Sequence, residues 1–164
     1  MLKIIHILGA VMFLGGIGAD LVWMKFAEQT KKPSVLAFAS KTVTLSDFLV
    51  ALPGAGLLIL SGVPMILAST EVSERQFFPA LLESLQIGWL FVSIVLLNIS
   101  GAVWLFLILP RQRRMMLISE EHISSESLPS EFFQALRKWY FWGMVATVMP
   151  FVALVLMILK PRLW

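Results

Sequence analysis

Four stretches of the chain carry apolar residues almost without interruption: 2–24, 47–69, 86–110 and 138–160. Each is close to the roughly 20 residues a helix needs to cross a bilayer's hydrocarbon at about 1.5 Å rise per residue. They are apolar on all faces, whereas a membrane-barrel strand alternates over about 10 residues, so the pattern predicts helices. Pro53, Pro64 and Pro150 fall inside these runs. Neighbouring helices satisfy the carbonyls that a proline frees in a membrane, and kinks are expected there. The expected fold class is an all-α membrane protein, one domain over 1–164, folded as an antiparallel bundle of four transmembrane helices. Lys3 followed by Gly16 and Gly18 weakly imitates a signal peptide. The apolar stretch is too long for a signal core, and it is expected to remain as a span.

Between the runs the chain becomes polar. Pro33–Asp47 (PSVLAFASKTVTLSD) places a proline at a helix start and sets Val35, Leu36 and Phe38 beside Lys41, which predicts a short helix lying on the membrane surface. The third connection runs from RQRRMM through ISEEHISSES into PSEFFQALRKWYFW, where Ser127 or Ser130 is expected to cap a helix leading into the fourth span. Lys3, Arg75, Lys160 and Arg162 fall on the side of the termini and middle loop. The other nine of the 13 basic residues (Lys25, Lys31, Lys32, Lys41, Arg111, Arg113, Arg114, Arg137 and Lys138) fall in the first and third loops. Short basic loops stay cytoplasmic, so both termini are expected outside a bacterial inner membrane. Trp23, Trp104, Trp139, Tyr140 and Trp142 would form an inner aromatic belt, with Trp89 and Trp164 in the outer one.

Composition sharpens this picture. With 59% apolar and 14% charged residues and a mean hydropathy of +0.87, a water-soluble domain is excluded, and the bilayer itself is the first partner. The net charge of +3 sits in short clusters between apolar runs, so the RQRR cluster is read as topogenic charge touching anionic lipid, with no nucleic-acid partner. The absence of cysteine excludes disulfides, thiolate zinc and iron–sulfur ligation. The sequence contains no nucleophile triad, phosphate loop or metal-spaced His/Glu cluster, and catalysis by this chain alone is not expected.

Helical spacing gathers the remaining polar groups into stripes. His6, Gly9, Ala10, Phe13, Gly16, Ile17 and Asp20 share one face of the first helix, and Asp47, Ala51, Gly54, Leu58, Ser61 and Met65 one face of the second. His6 and Asp20 lie about 21 Å apart along the axis and cannot pair. Asp20 and Asp47 fall near one leaflet, where two carboxylates can share a proton or hold a cation. They can equally be structural, Asp47 balancing a helix start after Ser46 and Asp20 lying near Lys25. Ser93, Ser100, Asn98 and Thr147 are read as interhelical hydrogen bonders. His6 stands at the outer end beside Lys3, Lys160 and Arg162, an arrangement suited to an axial imidazole for haem b with cations for its propionates; Met65 or Met157 could be the sixth ligand. His122 belongs to the opposite side, which excludes bis-histidine ligation. The alternative for His6 is a hydrogen bond to a neighbouring helix.

The opening LKIIHILGAVMFLGG, the DFLVALPGAGLLILSG of the second span, the tryptophan-rich third span ending in a basic cluster and the closing LMILKP together resemble the bacterial predicted integral membrane proteins grouped as domain of unknown function 2269. The resemblance covers essentially the whole chain and implies a multi-pass membrane fold. The opening helix is also similar to the first helix of small membrane protoporphyrinogen oxidases and copper-resistance-type membrane proteins, in which such a histidine is implicated in haem or metal binding. Only His6 carries over, because the further His or Lys residues of those groups are missing from the third span. Three function classes follow: a haem-binding or electron-transfer membrane protein, a small proton- or ion-coupled carrier using Asp20 and Asp47, and a structural or assembly subunit. A homodimer or larger membrane complex is the expected assembly.

Overall fold

The computed structural model describes residues 1–69 and 86–163; Arg75 and Trp164 lie outside the described residues. Four helices are long and apolar enough to cross a membrane: Leu2–Thr30, Pro33–Leu67, Gly88–Glu121 and Ser130–Leu159. In chain order the elements are α1 (Leu2–Thr30), α2 (Pro33–Ser46), a π-helical turn (Asp47–Ala51), α3 (Leu52–Ser69), α4 (Gly88–Val103), a second π-helical turn (Trp104–Ile108), α5 (Leu109–Glu121) and α6 (Ser130–Leu159). The fold is therefore all-helical with four spans, each helix reaching beyond its apolar run.

Local chemistry explains the first reversal. Lys31 adopts the left-handed conformation (φ 55°) and its N–H returns to Glu28 O, closing α1. Lys32 is extended, as a residue before proline tends to be, and Pro33 opens α2 at a position where its missing N–H leaves no donor to satisfy. A two-residue connection thus lays α2 back along α1. The surface helix expected over Pro33–Asp47 does not exist as a separate element. Leu36, Ala37, Ala39, Ser40 and Val43 are buried in the bundle, and the helix continues through Asp47 into α3. Likewise the RQRR segment prolongs α4 as α5, turning Gln112, Met115 and Ser119 inward and Arg113 and Arg114 outward. The helix expected to run into the fourth span is α6, but it starts after Pro129 without a side-chain cap from Ser127 or Ser130.

Both long helices pass a proline in the same way. In Asp47-Phe-Leu-Val-Ala-Leu-Pro53 and Trp104-Leu-Phe-Leu-Ile-Leu-Pro110, the residue before proline donates its N–H five residues back, Leu52 to Asp47 O and Leu109 to Trp104 O. Proline lacks an N–H and crowds the carbonyl four residues before it, and one wider turn upstream lets the helix continue. The two turns meet: Trp104 Nε1 donates to Asp47 Oδ2 at 3.0 Å, and the rings of Phe48 and Trp104 stand edge-on at 6.0 Å.

α1 packs against α3 and α2, and α6 against α4 and α5; the two hairpins meet through α2 against α5 and α1 against α6. The continuous apolar core lies at the loop end, among Met24, Leu36, Val43, Met115, Phe132, Leu136 and Trp139. Trp139 is part of that core, and Trp104 is turned inward, so neither sits in the interfacial belt expected of it. Apolar side chains face outward along every span; Leu60, for example, is 73% exposed. A surface of this kind is solvated by lipid.

Candidate functional site

The loop-end core encloses a polar island. Asp47, at the first residue of the π-turn, is 6% exposed, and Asp20, projecting from α1, is 5% exposed. Asp47 Oδ2 accepts two hydrogen bonds, from Trp104 Nε1 at 3.0 Å and from Gln112 Nε2 at 2.9 Å. Asp20 has Ser46 beside it, and its carboxylate lies within electrostatic reach of Asp47. Among the described residues Asp20 Oδ2, Gln112 Oε1, Ser40 Oγ and Trp139 Nε1 have no hydrogen-bond partner. The two carboxylates that the stripes placed at one level are thus brought together.

Among the described residues neither carboxylate is paired with a cation. The ion pairs among the described residues are Lys25–Glu28 at 2.8 Å and Arg114–Glu131, both on the surface. The helix-start role considered for Asp47 does not apply, since helix continues on both sides of it. Lys25 is paired to Glu28 and stands 5.7 Å above the Tyr140 ring, so it does not neutralise Asp20. Two charges buried side by side without a counter-ion are costly, and orphaned acceptor oxygens are the groups that a proton, a water or a cation would satisfy.

Trp104, Gln112, Ser40, Ser46 and Trp139 were not among the site residues read from the sequence. The repeated spacing of Asp47 and Trp104, each six residues ahead of a proline, is the signal that could have paired them.

At the other end His6 is an interhelical hydrogen bonder. Its Nδ1 lies 3.0 Å from Ser61 Oγ, and Ser61 spends its one hydroxyl proton on Leu57 O, so Nδ1 is the donor and Nε2 keeps the lone pair. The glycine face below it is filled. A Cβ on Gly9 would stand 3.0 Å from Gly54 O, and one on Gly54 would stand 2.6 Å from Phe13 N. α3 occupies the surface on which a flat macrocycle would lie. Lys160 closes α6 in the left-handed conformation (φ 45°), with its ammonium 5.5 Å from the Trp89 ring centroid. Lys3 is exposed, while Met65 and Met157 are half-buried. Met65, Met157, Lys3 and Lys160 share no hydrogen bond or ion pair with His6 among the described residues. Ser100 Oγ donates across to Ala146 O at 2.8 Å and Ser93 reaches Ala153 O, while Asn98 and Thr147 bond only within their own helices.

These features define a small multi-pass integral membrane protein with a carboxylate pair in its core. The chain belongs to the family described as predicted integral membrane protein (DUF2269), which matches residues 1–161. No curated protein and no solved structure matches it.

Proposed function

We propose that the protein is a small proton- or ion-coupled carrier in which Asp20 and Asp47 bind the coupling proton or a monovalent cation. The observation supporting this is the burial of both carboxylates with no counter-ion among the described residues, where Asp20 Oδ2 and Gln112 Oε1 also lack partners. Ionisable groups at membrane depth are expensive and are characteristic of proton and ion pathways. Among the described residues no three His, Asp or Glu side chains gather, so the donor set suits a proton or a singly charged cation better than a divalent metal. Asp47 and its partner Trp104 each open a π-helical turn, a common setting for functional groups, which supports the reading.

Protein reconstituted into vesicles carrying a pH-sensitive dye tests the reading. Wild type is expected to dissipate an imposed proton or sodium gradient, and Asp20→Asn to slow this by about tenfold or more while folding normally. Flux equal to that of empty vesicles, or unchanged by Asp20→Asn, would leave the structural-subunit reading.

A second reading retains His6 as an axial ligand of haem b. One observation favours it: the hydrogen bond to Ser61 leaves the Nε2 lone pair available. The closed Gly9–Gly54 face counts against it. A Soret band lost in His6→Ala would support this reading, and colourless protein from haem-supplied cells would eliminate it.

A further inference from the structure

A groove of about 360 Å³ runs between α5 and α6 at the loop end, on the outer surface of the bundle and away from the carboxylate pair. One helix contributes Phe106, Pro110, Arg111 and Arg114, and α6 contributes Glu131 and Lys138. Phe106, Pro110 and Arg114 recur every four residues with Arg111 beside them, and Glu131 and Lys138 lie seven apart, two turns of helix, so each set is a single face. Three cations meet one carboxylate here, leaving a net of two positive charges. Arg114 is held by Glu131, and Arg111 donates to Leu107 O, so both guanidinium groups are fixed in place. Lys138 has no ion-pair partner among the described residues.

The groove is graded along its length. At its lower lip Phe106 is 70% exposed and belongs to the apolar band of the spans, with Lys138, two turns along α6 from the Arg114–Glu131 pair, near its level, whereas the two arginines lie beyond Pro110. A soluble anion would use only the basic part. A molecule carrying a phosphate above an acyl chain uses both, because its chain continues along the outward apolar surface while its headgroup meets the cations.

We propose that this groove is a binding site for the headgroup of an anionic phospholipid. Native mass spectrometry of the detergent-solubilised full chain, titrated with phosphatidylglycerol, phosphatidylcholine or inorganic phosphate, tests it. Wild type is expected to retain one phosphatidylglycerol in preference to phosphatidylcholine. The double change Arg111→Gln with Lys138→Gln should weaken retention by about 30-fold, on the order of fivefold for each charge near a headgroup. Arg113→Gln removes one positive charge beside the groove and should leave retention within about twofold. Glu131→Gln, which keeps the basic side chains and raises the local charge, should strengthen retention severalfold. It tests the site even if the double variant misfolds. A loss of about fivefold in Arg113→Gln, the same per charge as in the double variant, would show diffuse attraction and overturn the proposal. Displacement of phosphatidylglycerol by millimolar inorganic phosphate would show a site for free anion and overturn it equally, as would unchanged retention in Glu131→Gln.

Discussion

The two ends of the bundle are held together by opposite means. At the terminal end α1 and α3 approach through glycine, with Gly9 and Gly54 bringing backbone against backbone, and His6–Ser61 adds one hydrogen bond. At the loop end, large side chains from all four long helices fill a continuous core and enclose a polar island. Lipid tails are as apolar as leucine, so burying another leucine gains little within a membrane; close packing and hydrogen bonds decide association. The terminal end relies chiefly on the first of these and the loop end on both. Among the described residues, the loop end therefore has the walls to isolate a pair of carboxylates.

Substitutions should separate the two ends. The largest effect is expected from Gly54→Leu, which drives a side chain into the Phe13 backbone of α1 and should cost more than the about 1–3 kcal/mol typical of overpacking. Gly56→Leu, two residues away with nothing within 4 Å of its Cβ position, should leave the thermal midpoint nearly unchanged. Next comes Asp47→Leu. It strands the indole N–H of Trp104 and the amide of Gln112 inside the core, at about 1–3 kcal/mol for each orphaned donor. Asp47→Asn keeps an acceptor and should lose less than half as much. His6→Ala removes one hydrogen bond and should cost about 1 kcal/mol. The smallest change is a gain: Lys31→Gly relieves the left-handed residue closing α1 and should stabilise by about 0.5–1 kcal/mol. Detergent unfolding curves of the seven proteins, wild type included, rank these effects.

The sequence made the spans and the interior stripes legible, because hydropathy and a 100° period are properties of single helices. Asp20 and Asp47 were found that way. Their partners were not, because Trp104 stood where interfacial tryptophans stand and Gln112 was surrounded by arginines. Each π-turn also adds a residue to its helix, rotating everything downstream by about 100° relative to a regular projection. The surface helix expected over Pro33–Asp47 failed for a related reason. Its small residues Ala37, Ala39 and Ser40 read as weakly amphipathic alone, and their burial depends on the extension of α5 beyond Pro110, which apolar run length does not reveal.

Infrared difference spectroscopy of the purified protein across pH, with sodium or potassium present, tests the carboxylate site most directly. Wild type should show the carbonyl stretch of a buried carboxylic acid that disappears or shifts as proton or cation is exchanged. Asp20→Asn and Asp47→Asn should each remove or displace it. A spectrum unchanged by pH and cation, and identical in both variants, would show that the pair exchanges neither and contradict the carrier reading.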